Sequence, residues 1–143
     1  AFTLDVKNKN AWPFLNALEG VRSACDGIIV AEYKEQTFCL LLDMKSSASG
    51  TSKAIKQIRS NYLLMEWLIG LLQLHNHWNG QIIYSGIVSL KPRKTERKST
   101  SKRPPLPNPQ TFDSQPKHIF SLDNHPRITL SDIFNSLQKQ IIL

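Results

Sequence analysis

Apolar residues recur along the chain with two different periods, and these predict alternating strands and helices. Runs rich in β-branched and aromatic residues, bounded by polar clusters, indicate strands over residues 27–33, 37–42, 81–90 and 118–122. Apolar positions three and four apart indicate helices over residues 13–24, 53–74 and 130–142. Strands interleaved with helices predict an α/β fold, with a mixed central sheet flanked by helices.

The first two strands are close enough in sequence to form a β-hairpin, because only the polar residues 34–36 separate them. With a two-residue loop, Asp26 faces either Asp43 or Lys45 across the strand pair. With a three-residue loop Asp26 faces Met44, and a β-bulge is needed to bring the carboxylates of Asp26 and Asp43 together. Asp43 and Lys45 share a face in every case, since side chains on a strand alternate with period two.

Two carboxylates and a lysine at one end of a hairpin are typical of a metal-dependent phosphodiesterase. Clustered carboxylates repel each other and lose hydration, so a divalent cation between them is stabilising. Mg²⁺ is the expected ion, with Mn²⁺ as a substitute, because it takes oxygen ligands and one or two carboxylates together with phosphate oxygens. The alternative is that these are ordinary solvated residues that form a weak cross-strand pair.

The motif resembles the PD-(D/E)XK nuclease superfamily, whose members share a restriction-endonuclease-like core. The first motif reads CD at Cys25 and Asp26, where the family often has proline before the aspartate, and the second reads DMK at residues 43–45. The resemblance covers roughly residues 13–90, and a helix, a hairpin, a second helix and a further strand follow in the family's order. It implies Mg²⁺-dependent hydrolysis of DNA, preferred over RNA because the family mostly cuts DNA.

The resemblance also implies roles for individual residues. Asp26 and Asp43 would be metal ligands, and Lys45 would stabilise charge on the phosphate or help to activate water. An acidic residue on the helix before the hairpin often adds a metal contact, and Glu19 is the matching position; a solvated glutamate is the alternative. A polar or basic residue early in the next helix often contacts phosphate or the active site, which points to Gln57 and Lys53.

The helix over residues 53–74 changes character along its length. Its first half carries Lys53, Lys56 and Gln57, which either face nucleic acid or form an ordinary charged helix surface. Its second half, residues 62–74, is apolar and is expected to be core or the interface of a homodimer or larger assembly. Thr51 or Ser52 is expected to cap this helix, and Thr129 or Ser131 the last one.

The positive charge of the chain is concentrated in one block. The net charge is +7, and residues 91–103 hold seven basic residues and one acidic residue, so the rest of the chain is almost balanced. The basic residues are Lys91, Arg93, Lys94, Arg97, Lys98, Lys102 and Arg103. Prolines follow closely, which predicts an extended loop or linker over about residues 91–117. We expect this block to bind nucleic-acid backbone; a solubilising loop is the alternative.

Length and composition limit the remaining possibilities. The 143 residues predict a single nuclease-like domain. The two cysteines lie on predicted strands but out of register with each other, so a disulfide is not expected. Because no signal peptide precedes Ala1 either, a reducing, cytoplasmic setting is expected. Two other functions stay open: a catalytically inactive nucleic-acid-binding or scaffolding subunit with a nuclease-like fold, and a nuclease toxin domain excised from a larger protein.

Overall fold

The structure is a computed structural model that describes residues 25–47, 50–90, 105–123 and 128–141. The helix predicted over residues 13–24, with Glu19, lies outside the described residues. The seven basic residues at 91–103, which are predicted to bind nucleic-acid backbone, also lie outside the described residues.

The described residues form an α/β fold with a five-stranded mixed sheet and two helices. The sheet order is β1-β2-β3-β5-β4. Antiparallel pairs lie at the two edges, β1 with β2 and β4 with β5, and parallel pairs join β3 to β2 and to β5. The elements are β1 (Gly27–Tyr33), β2 (Gln36–Lys45), α1 (Thr51–Leu74), β3 (Ile82–Leu90), β4 (Gln110–Thr111), β5 (His118–Asp123) and α2 (Leu130–Ile141).

The hairpin closes with a two-residue turn. Lys34 and Glu35 have φ values of 49° and 63°, the left-handed conformation that a tight turn between antiparallel strands requires. Tyr33 therefore pairs with Gln36, and the register continues to Gly27 opposite Leu42. β2 extends three residues beyond its predicted end because residues 43–45 continue to pair with Val88, Ser89 and Leu90 of β3.

Helix α1 forms the crossover between the parallel strands β2 and β3 and packs closely on the sheet. A Cβ at Gly86 would lie 2.9 Å from Ile58 Cγ2 and 3.1 Å from Ile119 Cγ1, so glycine leaves the space that α1 occupies. Gly50 precedes the helix without a side-chain cap hydrogen bond. The predicted capping by Thr51 or Ser52 is therefore wrong, because the helix begins at Thr51.

Two apolar clusters cover the two faces of the sheet. The α1 side contains Cys39 and Leu41 of β2 with Ile58 of α1, and the α2 side contains Phe38 and Leu40 with the residues of α2. Alternation along β2 places Asp43 and Lys45 on the α1 side, because they continue the series of Cys39 and Leu41.

The remaining elements complete the sheet and the second layer. The side chain of Thr129 accepts a hydrogen bond from the backbone N–H of Asp132, so Thr129 caps α2 as predicted. Strand β4, which no sequence pattern indicated, lies within the predicted proline-rich linker, and Leu106 before it packs against the α2-side cluster. No helix in the described part combines the length and the hydrophobicity that crossing a membrane requires.

Candidate active site

Asp26 and Asp43 lie near each other at the open end of the hairpin. The register that pairs Gly27 with Leu42 places them one position further on. Asp43 is on the α1 side by strand alternation, and Asp26, which directly precedes β1, is near enough for its charge to act on Asp43. A carboxylate oxygen of Asp26 accepts a hydrogen bond from the backbone N–H of Met44, which fixes Asp26 against the second strand.

Lys45 lies two residues after Asp43 on β2 and contacts it. Its ammonium forms an ion pair with Asp43 Oδ1. The same Nζ donates a 2.7 Å hydrogen bond to Oε1 of Gln57, which lies in the second turn of α1. The ammonium is therefore held from two directions, by its own strand and by the helix that follows.

Gly50 makes room for the Lys45 side chain. A Cβ at Gly50 would lie 3.1 Å from Cδ and 3.2 Å from Cγ of Lys45. No sequence pattern pointed to Gly50 as part of the site. In the sequence, Gly50 is recognisable only as a glycine directly before a predicted helix and five residues after the lysine of the D-x-K motif. This position alone does not reveal the contact with the Lys45 side chain.

Asp43 is a buried acid whose charge is only partly compensated. The residue is 1% exposed. Desolvation raises its pKa above the ordinary value, and the nearby negative charge of Asp26 adds to the rise, whereas the hydrogen bond and charge of Lys45 and the charge of Lys53 oppose it. Among the described residues, Asp43 Oδ2 has no hydrogen-bond partner. Such an orphaned carboxylate oxygen is well suited to binding a cation.

The donor set at this site fits Mg²⁺ through two carboxylates. Within the part of the chain that the structure describes, no group of three or more His, Cys, Asp or Glu side chains is arranged to hold a metal ion. Mg²⁺ commonly binds through only one or two carboxylates, with water and substrate phosphate completing its shell. The predicted contribution of Glu19 lies outside the described residues.

Cys25 lies next to this site but does not resemble a ligand. Its thiol is buried and free, and the sulfur donates a hydrogen bond to the backbone oxygen of Gly27. Burial is the main cause that raises its pKa to about 11. The thiol is therefore protonated near neutral pH, whereas the thiolate is the form that binds metal.

The first half of α1 places positive charge beside the carboxylates. Lys53 and Lys56 are exposed on this half, and Lys53 is near enough to Asp43 to influence its pKa. Arg59, to which no sequence pattern pointed, follows three residues later, with its guanidinium 5.2 Å from the centre of the Phe112 ring. No acidic residue occurs in the sequence between Asp43 and Glu66.

The structure thus brings together four of the predicted catalytic residues and places Lys53 near them. Comparison with known proteins adds no assignment, because no family model, curated protein or solved structure matches this chain.

Proposed function

We propose that this protein is a Mg²⁺-dependent nuclease that hydrolyses phosphodiester bonds in DNA. The observation that carries the proposal is the clustering of Asp26, Asp43 and Lys45 at the open end of the hairpin. The D-x-K motif on β2, followed by α1 and the parallel strand β3, supports a restriction-endonuclease-like core of the PD-(D/E)XK type.

Asp26 and Asp43 are the residues that would hold the ion. When bound, a divalent cation supplies Lewis-acid activation of water and of the phosphodiester group. Asp43 offers a buried oxygen without a hydrogen-bond partner among the described residues, and Asp26 is kept opposite it by the N–H of Met44. Both carboxylates must be ionised for this role, so the raised pKa of Asp43 sets a lower pH limit on ion binding.

Lys45 supplies positive charge where the reacting phosphate would lie. As water attacks phosphorus, negative charge grows on the phosphoryl oxygens, and an ammonium held in advance stabilises that charge without reorganising. Gln57 is a positioning residue, because its side-chain oxygen accepts the hydrogen bond that directs Nζ of Lys45. The ion pair with Asp43 directs the same nitrogen from the opposite side.

The cations of α1 extend this site along a nucleic-acid backbone. Lys53 and Lys56 are exposed on the first half of the helix, and helix geometry places them about 5 Å apart along its axis. Lys53, which acts on Asp43, would contact a phosphate next to the one that is cleaved, and Lys56, on the outer face of the helix, would contact the backbone further away. The basic block at 91–103 would add sequence-independent affinity, because lysine and arginine release counterions from DNA when they neutralise phosphates.

Cleavage of plasmid and oligonucleotide DNA tests the proposal directly. We expect the wild type to cut with Mg²⁺ or Mn²⁺ and not with EDTA. Asp43→Asn should abolish cutting, and Lys45→Ala should slow it about 10²–10³-fold, the usual effect of losing one charge-stabilising group. Asp113→Asn and Lys139→Ala are matched controls on exposed positions outside the site and should cut like the wild type.

Two outcomes would overturn the assignment. Undiminished cutting by both site variants would show that the reaction, if nucleolytic, is carried out elsewhere. Salt-sensitive DNA binding by a wild type that cuts neither DNA nor an RNA oligonucleotide would favour the inactive binding or scaffolding subunit. Cutting of RNA alone would retain the site and correct the substrate.

A further inference from the structure

The second half of α1 has apolar side chains on the face that is turned away from the sheet. Leu63, Trp67, Gly70 and Leu74 follow each other at intervals of four, three and four residues, so they form one line along the helix. We name these four residues the outer stripe. Leu63, Trp67 and Leu74 are 66%, 56% and 73% exposed. The buried face of α1, which includes Ile58 and Met65, points in the opposite direction.

The charge along this half-helix indicates the class of molecule that would cover it. From residue 60 to residue 81 the sequence contains no lysine or arginine, and its only acid is Glu66. Nucleic-acid binding depends on cations that pair with phosphates, so the outer stripe lacks what a nucleic acid requires. An aliphatic stripe with one tryptophan is instead typical of helix packing between proteins.

We propose that the outer stripe is the contact between two copies of this chain, with their α1 helices packed antiparallel about a twofold axis. In this arrangement the axis passes between Trp67 and Gly70. Trp67 of each copy then lies on Gly70 of the other, and Leu63 lies against Leu74. This proposal does not depend on the proposed nuclease activity.

The sizes of the stripe residues are self-complementary in this arrangement. A Cβ at Gly70 would meet no other atom within 4 Å in the described part of the chain, so the surface over Gly70 is open. Trp67, the largest side chain of the stripe, stands three residues before this opening. Because the proposed axis passes between Trp67 and Gly70, each of these residues faces the other type on the second copy, so the indole of one copy fills the opening of the other.

Electrostatics favours the antiparallel over the parallel arrangement. Lys56 lies on the same line of α1, two turns before Leu63. Parallel helices would place Lys56 of one copy beside Lys56 of the other, and the helix dipoles would also be aligned unfavourably. Antiparallel helices place the two basic halves at opposite ends of the dimer and oppose the dipoles.

The available area is close to what a stable dimer needs. Stable interfaces bury roughly 1,200 Å² or more in total, so each copy must supply about 600 Å². Trp67 and the leucines at 63, 71 and 74 are between 37% and 73% exposed. If a large apolar side chain has about 200 Å² when open, these four hold roughly 450 Å², about three quarters of the area that each copy must supply.

The dimer leaves both candidate active sites open. Gln57, which contacts Lys45, is about 17 Å along α1 from the proposed axis. The two sites therefore lie near opposite ends of the paired helices, outside the contact.

Sedimentation velocity of the full chain over a range of concentrations tests the contact. We expect the wild type to be a dimer, and Leu63→Glu and Trp67→Glu to be monomers with unchanged far-UV circular dichroism. Leu130→Glu is the matched control, because Leu130 is 41% exposed at the start of α2, and this variant should remain a dimer. A wild type that stays monomeric at the highest concentration would overturn the proposal, as would a dimer that survives both acidic substitutions.

Three further variants test the packing and the direction of the helices. Gly70→Leu should shift the equilibrium towards monomer by tenfold or more although it adds apolar surface, because it fills the space for Trp67. A general hydrophobic contact would instead be strengthened, and that result would overturn the packing. Mixed Leu63→Cys and Leu74→Cys chains should form disulfide-linked heterodimers on oxidation, since the native cysteines are buried. Predominant homodimers would show parallel helices and overturn the arrangement.

Discussion

The carboxyl group of Asp43 has an environment that serves ion binding at some expense to folding stability. Strand alternation places the carboxyl group on the α1 side of the sheet, where Asp43 is 1% exposed. Only its Oδ1 atom contacts the ammonium of Lys45. Its raised pKa means that the folded chain keeps this proton at a higher pH than the unfolded chain does. The associated stability is present below the ordinary pKa of 3.8 and is lost as pH rises through the raised value.

Replacing this charge should therefore stabilise the protein in the absence of metal. In EDTA at pH 7, we expect Asp43→Asn to raise the midpoint of thermal unfolding, because the substitution removes a charge that desolvation penalises in the folded chain. Lys45 loses its ion pair, and because its side chain is only 19% exposed this loss opposes the gain, although the hydrogen bond to Gln57 remains. Calorimetry from pH 7 to pH 4 should show the difference shrinking as Asp43 of the wild type becomes protonated.

Addition of Mg²⁺ gives the complementary measurement. An ion that binds only the folded wild type raises its unfolding midpoint, whereas Asp43→Asn should show little change.

The result in EDTA at pH 7 decides between desolvation and the ion pair. If Asp43→Asn is less stable than the wild type there, then the Lys45 ion pair outweighs desolvation, and our account of Asp43 is wrong.

At the scale of the elements, the path of α1 over the sheet determines which residues reach the site. The chain leaves β2 after Lys45 and enters α1 at Thr51. Helix α1 then crosses Gly86 of β3, where Ile58 and Ile119 fill the space that a side chain would occupy. This close approach keeps Gln57, one residue before Ile58, within hydrogen-bond distance of Lys45. A glycine in the middle of a buried strand is otherwise unfavourable, so this packing accounts for its presence.

Gly86→Ala should separate α1 from the sheet. The added Cβ would lie 2.9 Å from Ile58 Cγ2, so we expect a loss of about 1–3 kcal/mol in the free energy of unfolding, as for overpacked cores. Cleavage should fall as well, because Gln57 moves with the helix. Gly27→Ala is the matched control, since its Cβ would be in ordinary contact with Leu42 at 4.0 Å. Urea unfolding measures the stability of both variants. Equal stability of Gly86→Ala and Gly27→Ala would contradict the close packing of α1 on Gly86.

The sequence predicted the local elements better than the contacts between them. Alternation and the short polar turn were enough to place Asp26, Asp43 and Lys45 at one hairpin end, because strand periodicity fixes both face and register once the turn length is known. The turn length itself depended on left-handed φ values at Lys34 and Glu35, which neither residue type favours. The sequence could not show that Gly50 adjoins Lys45 or that β4 extends the sheet, since both follow from tertiary packing.

At the scale of the whole molecule, charge is distributed unevenly in a way that suits binding to DNA. The site end carries Lys45, Lys53, Lys56 and Arg59 without an intervening acid, and the block at 91–103 holds six of the seven net positive charges. The second half of α1 lacks lysine and arginine, so the surface proposed for dimerisation and the surface proposed for DNA are separate on the same helix. A dimer would therefore carry two basic regions, one beside each candidate active site.

Removing charge from the basic block should weaken DNA binding in a manner set by counterion release. Replacing Lys94, Arg97 and Lys98 together by glutamine removes up to three phosphate contacts, so the slope of log K against log salt should become shallower by roughly 3. Fluorescence anisotropy with labelled duplexes at several salt concentrations measures this slope. A triple replacement of Lys34, Lys117 and Lys139 by glutamine removes the same charge from exposed positions elsewhere and should change the slope much less. Equal changes in the two triple variants would mean that DNA responds only to net charge, and that the block has no specific place in the contact.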